Sequence, residues 1–354
     1  MPKILIIRFS SIGDIVLTSP VIRCLKLQTG AEIHYLTKQP FVALLKNNPH
    51  VSKVFAIDKR VGEVLPALRR EKYDYIIDLH HNLRTFILKC RLPFVKSYAF
   101  KKLNFEKWLF VNFKINRLPK KHIVDRYLET VKSLGVKNDG QGLDFFLPED
   151  LLNPPESVRA GFQNLVNLKT NFLPPTPSRG GEVIEYIAFP IGAGRKTKAL
   201  TIPKIVHICQ NINYPIILLG GKQEVPKAEA IETIIKATEG AENIVNLVGK
   251  CSLIESAAIV KNAKVVLTGD TGLMHIAAAF HKPIISIWGN TVPEFGMTPY
   301  YPRGMDLNTI MEVKNLPCRP CSKIGYTDCP KGHFKCIENL EVAELKFQLN
   351  QVIK

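Results

Sequence analysis

Short apolar runs recur along the chain with longer, more polar stretches between them. In the first half they fall at Ile4–Ile7, Glu32–Leu36, Val54–Ile57 and Tyr73–Leu79. Strands that alternate with helices pair in parallel, because a crossover is needed to bring the chain back in the same direction. The pattern restarts at Glu185–Phe189, Pro215–Leu219, Asn243–Leu247, Val265–Leu267 and Pro283–Trp288, which predicts a second sheet of the same kind. Between the two sets lies Asn171–Gly181, rich in Pro and Gly, which sustains neither helix nor central strand. The reading is therefore α/β, with Rossmann-like domains over 1–175 and 176–337. Apolar residues at Leu340, Ala343, Leu345, Leu349 and Val352 predict a closing helix over 338–354.

The 354 residues suit two domains of middling size, and 46% hydrophobic with 22% charged residues is the composition of a globular protein. The first apolar run stops at Arg8, too short for a signal-peptide core. No run is long enough to cross a bilayer, so a cytoplasmic protein is expected and any membrane contact would be peripheral. The net charge of +17 asks for an anionic partner, whether nucleic acid, lipid or phosphorylated substrate. Its distribution narrows the choice, since residues 1–170 hold 28 Lys and Arg against 15 Asp and Glu. Between Lys89 and Lys121, Lys96, Lys101, Lys102, Lys107, Lys114, Arg117 and Lys120 are mixed with Phe94, Phe100, Phe105, Trp108, Phe110 and Phe113, and Glu106 is the one acid. That mixture suits an anionic membrane interface, and equally a solvated loop and helix.

Three segments carry chemistry. Ser10-Ser11-Ile12-Gly13-Asp14 follows the first strand and opens a helix, so Asp14 lies at the end of a sheet where α/β folds bind ligands. A single glycine there does not make a dinucleotide fingerprint, and read alone Asp14 is better explained as an acid on a helix N-terminus. Gly269-Asp270-Thr271-Gly272-Leu273-Met274-His275 joins a strand to an alanine-rich helix whose first amides could seat a pyrophosphate. Phe189-Pro-Ile-Gly-Ala-Gly-Arg-Lys-Thr-Lys198 is a glycine turn loaded with cations.

These motifs resemble glycosyltransferase family 9, the ADP-heptose:lipopolysaccharide heptosyltransferases, and the resemblance runs through nearly the whole chain. It implies the GT-B fold, two Rossmann-like domains facing across a cleft with a C-terminal helix, and a metal-independent, inverting glycosyl transfer. By resemblance, Asp14 is the catalytic base. Gly192, Lys198, Glu224, Asp270, Thr271, Gly272 and His275 meet the nucleotide-sugar donor. Ser11, Asn82 and Arg84 meet the acceptor, with His80 and His81 standing where Gln-Gly is usual. Downstream of Lys198 the chain departs from the family, with Ala199-Leu200-Thr201 in place of bulky basic and Trp residues. The implied partners are an ADP-sugar, a lipid-linked anionic saccharide bearing Kdo or heptose, and the inner leaflet of the cytoplasmic membrane, with no nucleic acid. Two other readings stay open, a family member using another nucleotide sugar and a non-enzymatic, basic nucleic-acid-binding protein with a zinc module.

Cys318, Cys321, Cys329 and Cys336 cluster near the end. Disulfides are not expected in the cytoplasm, and the spacing misses the usual zinc-ribbon pattern in its second pair. Either a structural zinc or a metal-free reduced cluster fits. No cofactor is expected for catalysis, since the chain has no Asp-x-Asp pair to hold a divalent ion.

Overall fold

The computed structural model describes residues 1–151, 185–238 and 243–353. They divide into two units, one made of Met1–Phe146 with Ala278–Phe280 and Pro293–Asp306, the other of the remainder. The Asn171–Gly181 segment, where the domain boundary is expected, lies outside the described residues.

The first unit is built on five parallel strands, β1 (Lys3–Ile7), β2 (Glu32–Lys38), β3 (Lys53–Ile57), β4 (Tyr75–Asp78) and β5 (Lys96–Ala99), in the order β3-β2-β1-β4-β5. Ile4–Ile7 is buried throughout, as a central strand covered on both faces must be. Its helices are α1 (Ile12–Val16), α2 (Ser19–Thr29), α3 (Leu65–Arg70), α4 (Leu83–Cys90), α5 (Asn104–Phe113) and α6 (Ile123–Glu129). The order turns back on itself at β1, so the loops after β1 and β4 leave the sheet side by side, with Ile7 paired to Asp78. Pro293–Asp306 completes the unit: the Gly296 carbonyl accepts from the Ile123 amide at 2.8 Å, and Arg303 donates its amide to Gly140 at 2.8 Å.

The second unit carries six parallel strands, β6 (Ile187–Pro190), β7 (Ile216–Leu219), β8 (Ile244–Asn246), β9 (Val265–Gly269), β10 (Ile284–Trp288) and β11 (Asn308–Glu312), in the order β11-β10-β9-β6-β7-β8. Helices α7 (Ile202–Asn211), α8 (Val225–Lys236), α9 (Leu253–Asn262), α10 (Gly272–Ala279), α11 (Lys335–Glu338) and α12 (Val342–Ile353) accompany it. Here β6 and β9 are neighbours although far apart in sequence, which puts the glycine turn and the Asp270 turn next to each other. The closing helix packs Val342, Leu345 and Leu349 into this core. Among the described residues no helix is long and apolar enough to cross a membrane.

Candidate active site

In the first unit the chain leaves β1 through Arg8 and enters α1. The Asp14 carboxylate reaches back from that helix, accepting from the Ser11 amide at 3.1 Å and hydroxyl at 2.9 Å, and pairs with Arg8 at 2.6 Å. Arg8 is itself held by the carbonyls of Ser10 at 2.8 Å and Leu79 at 2.6 Å. Burial alone would push the Asp14 carboxyl up, but the Arg8 guanidinium and the Ser11 amide and hydroxyl outweigh it and hold it below the usual carboxylate range. Asp14 is therefore ionised at neutral pH. It also braces the helix start, so the structural role weighed from sequence is present in the same contacts.

The loop after β4 is braced by the fully buried Asp78, which accepts from the His80 and His81 amides at 3.1 and 2.6 Å and pairs with Lys89 at 2.9 Å. His80 packs edge-on against Phe9, ring centroids 5.1 Å apart. Burial, with Arg8 and Lys102 adding like charge, pushes it down to about 4, so it is a neutral imidazole at pH 7. Its Nδ1 has no hydrogen-bond partner among the described residues. Asn82 caps α4, its side-chain oxygen accepting from the Thr85 amide at 3.0 Å, and Arg84 is exposed on the first turn of that helix. The β1–β4 adjacency thus brings Ser11, Asp14, Asn82 and Arg84 to one end of one sheet.

In the second unit Lys198 pairs with Asp270 at 2.5 Å, and the Thr291 hydroxyl donates to the same carboxylate oxygen at 3.0 Å. Thr271 caps α10, accepting from the Met274 amide at 3.3 Å, and its hydroxyl meets that of Thr268 at 3.0 Å. His275 is buried on the same helix. Glu224 folds back onto the Gly221 amide at 2.9 Å and lies so close to Gly192 that a Cβ there would stand 2.9 Å from the Glu224 carboxyl carbon. Gly192, Lys198, Glu224, Asp270, Thr271, Gly272 and His275 therefore occupy the loops and helix start at the ends of β6, β7 and β9.

Sequence reasoning missed three supports of this site. Arg8 closes an otherwise apolar strand, and a cation at the buried end of a central strand was the available signal. Thr291 had none. Lys227, on α8, donates to the carbonyls of Ile191 at 3.2 Å and Leu200 at 2.5 Å, clipping together the two ends of the basic turn. Burial pushes its ammonium down to about 8.

The four clustered cysteines meet at one small cavity of about 20 Å³, which Thr197, Asn290, Arg319 and His333 also line. Burial would raise the Cys329 thiol, but the amides of Phe334, Lys331, His333 and Gly332 hydrogen-bond it and hold it below its ordinary value. Elsewhere, Glu32, His34 and Glu71 bring three ligand atoms within 4.8 Å of one another, the one such trio among the described residues. Lys3 and Lys53 already pair with its glutamates, at 2.9 and 2.7 Å from Glu71, which leaves a metal ion little charge to answer.

Comparison with known proteins follows the same lines. The family model described as glycosyltransferase family 9 (heptosyltransferase) matches residues 61–327. Lipopolysaccharide heptosyltransferase 1 of Campylobacter coli is 25% identical over 319 residues, covering 86% of this chain and 87% of that one. A glycosyl transferase family 9 crystal structure from Veillonella parvula superposes with a TM-score of 0.74 at 19% identity, covering 99% of this chain and 97% of the other. The E. coli heptosyltransferase WaaC with ADP-2-deoxy-2-fluoro heptose gives 0.62 at 19% identity, with 99% of each chain covered.

Proposed function

Since the chain belongs to glycosyltransferase family 9, the heptosyltransferases, we propose that it transfers a heptose from ADP-heptose to the Kdo or heptose inner core of a lipopolysaccharide precursor. The observation that carries this reading is the Lys198–Asp270–Thr291 cluster beside the start of α10, a lysine held in place by an aspartate next to a helix N-terminus. Such a pair of features suits a leaving nucleotide diphosphate. That the E. coli relative is known with an ADP-sugar bound supports adenine as the base of the donor.

In the proposed step an acceptor hydroxyl attacks the anomeric carbon while the bond from that carbon to the diphosphate oxygen breaks, inverting the centre. Asp14 takes the hydroxyl proton. A carboxylate held low by Arg8 is a weak base for a free alcohol, but the hydroxyl grows acidic as its oxygen bonds to an electron-poor carbon, so proton transfer late in the step is enough. Lys198 and the Thr271 and Gly272 amides carry the charge that accumulates on the diphosphate, the work a divalent ion does elsewhere. Ser11 holds Asp14 in place, and Asn82 and Arg84 are assigned to the anionic acceptor. Glu224 and His275 are assigned to the donor's ribose and sugar.

The acceptor is lipid-linked, and the first unit carries a surface suited to a membrane. No residue of α5 is buried, and Phe94, Phe105, Trp108 and Phe113 are exposed among lysines. We assign this face to peripheral contact with the anionic inner leaflet of the cytoplasmic membrane. The test of the reaction is a panel of nucleotide sugars offered with a Kdo-bearing lipid A acceptor. Transfer from ADP-heptose supports the assignment, and transfer from a different nucleotide sugar alone would replace the donor.

A further inference from the structure

The cysteine-rich loop touches the basic turn directly. The Tyr326 amide donates to the Thr197 hydroxyl at 2.7 Å, and the Tyr326 carbonyl accepts from the Thr197 amide at 3.3 Å. Gly325, in the left-handed region at φ +93, is pressed so close to Arg195 that a Cβ there would stand 2.8 Å from the arginine's own Cβ. A second link runs through Arg319, between Cys318 and Cys321. Its guanidinium donates to the Thr291 carbonyl at 3.1 Å and pairs with Glu312 at 2.8 Å, and Thr291 in turn holds Asp270, the partner of Lys198. Two routes thus lead from the cysteines to the same lysine.

The cavity at the centre of this loop is lined by all four of the clustered cysteines. Its volume exceeds the 10–15 Å³ or so that one water-sized sphere needs. The backbone amides of Phe334, Lys331 and His333 surround the Cys329 sulfur, as second-sphere donors around a metal-bound sulfur do. His333 accepts from the Lys335 amide at Nδ1, 3.1 Å away, which leaves the proton on Nε2, 4.0 Å from the Cys318 sulfur, so it faces that sulfur as a donor and not as a ligand. An independent observation points the same way: Asn290 lines the cavity, is 1% exposed, and neither polar atom of its side chain has a partner among the described residues. A buried amide in that position is costly unless something in the cavity answers it.

We propose that Cys318, Cys321, Cys329 and Cys336 bind one thiolate-preferring transition-metal ion, of the zinc and iron(II) class, and that this ion fixes the Arg195–Lys198 turn for the donor diphosphate. Four thiolates in a tetrahedron are the ligand set of these ions, and Asn290 and His333 supply the outer hydrogen bonds that steady the sulfurs. No three of these sulfurs and imidazole nitrogens lie mutually within 4.8 Å, so the sulfurs stand further apart than in a closed tetrahedral site. The ion takes no part in bond making. It sits behind the phosphate turn, as a knot behind a loop.

The claim about the donor rests on the reading of Lys198 given above, and the claim about the ion does not. Full-length protein purified without a histidine tag is analysed for zinc and iron separately, and ADP affinity is measured by calorimetry. About one equivalent of either metal per chain is expected, lost in Cys329→Ser together with at least several-fold in ADP affinity. Because that variant could misfold, Thr197→Val is the second probe: it cuts the link to Tyr326 without touching a ligand, and should keep the metal while weakening ADP. Cobalt substitution of the wild type should add the intense thiolate-to-metal absorption of a four-sulfur site. Wild-type protein with neither metal, and with Cys318, Cys321, Cys329 and Cys336 all open to alkylation as mapped by mass spectrometry, overturns the site. Metal loss with unchanged ADP affinity overturns the coupling. A metal-loaded wild type that binds no ADP would instead count against the donor reading alone.

Discussion

At the scale of single residues, Asp14 is where two roles share one carboxylate. It braces the start of α1 through Ser11 and pairs with Arg8, and it is also the group assigned to take the acceptor proton. Asp14→Asn keeps the shape and should fold with ADP affinity intact while turnover falls about 10²–10⁴-fold, the range for a positioned base, in a sugar-transfer assay. Turnover within a few-fold of wild type would return Asp14 to a purely structural part. Arg8 sets the pH at which the base is lost. Because the guanidinium holds the Asp14 carboxyl low, Arg8→Gln should raise that pKa and shift the acid limb of the kcat/KM profile toward neutral pH. Lys198→Ala should weaken ADP by about 1.5–3 kcal/mol, one charge-assisted contact, as read by calorimetry. Asp14, Lys198 and Asp270 were legible because their motifs sit at strand-to-helix turns. Arg8, Thr291 and Lys227 were not, since each acts by folding against a segment remote in sequence.

Among the elements, the nine strands expected from apolar runs all form, and the two unforeseen ones explain themselves. β5 is Lys-Ser-Tyr-Ala and β11 is Asn-Thr-Ile-Met-Glu, both at sheet edges. An edge strand is covered on fewer sides and is commonly charged or polar to discourage pairing with other chains, so the apolar signal that marks a central strand is missing. The basic turn after β6 shows a different limit. Its glycines and cations are plain in the sequence, but its shape depends on Lys227 drawing Ile191 and Leu200 together. Replacing that ammonium by methionine keeps the stem and strands two carbonyls, at about 1–3 kcal/mol between them. The expected outcome of Lys227→Met is a raised KM for the donor with kcat changed less, measured at saturating acceptor.

For the molecule as a whole, charge and acid stability are the properties the parts add up to. Flotation with anionic and neutral vesicles should recover the protein with the anionic ones, less so as salt rises, each basic group near the surface contributing about 1 kcal/mol before screening. Equal recovery with both would leave the α5 face to the soluble fold. Acid should act chiefly through two histidines, with His50, also held down by burial, adding in the same direction. Neutral His122 donates from Nε2 to the Thr298 carbonyl at 2.9 Å and accepts the Val124 amide at Nδ1, 3.2 Å, so it cannot gain a proton without losing that cap. Burial pushes it down to about 4, as it does His80. The unfolded chain binds these protons below pH 6.5 and the folded chain does not until about 4, so stability falls as pH drops through that window. Thermal midpoints across it should fall less steeply for His122→Gln than for the wild type.

That His122 leans on Thr298 also has a consequence for biosynthesis. The first unit draws Gly296, Thr298, Tyr300 and Arg303 from a stretch that follows β10, so the ribosome has delivered five of the other unit's six strands before these residues emerge. Domains ordinarily mature in order of synthesis. Here the half that begins the chain is finished late, and until residue 303 is released His122, Asn138 and Gly140 wait for their partners, with water in their place.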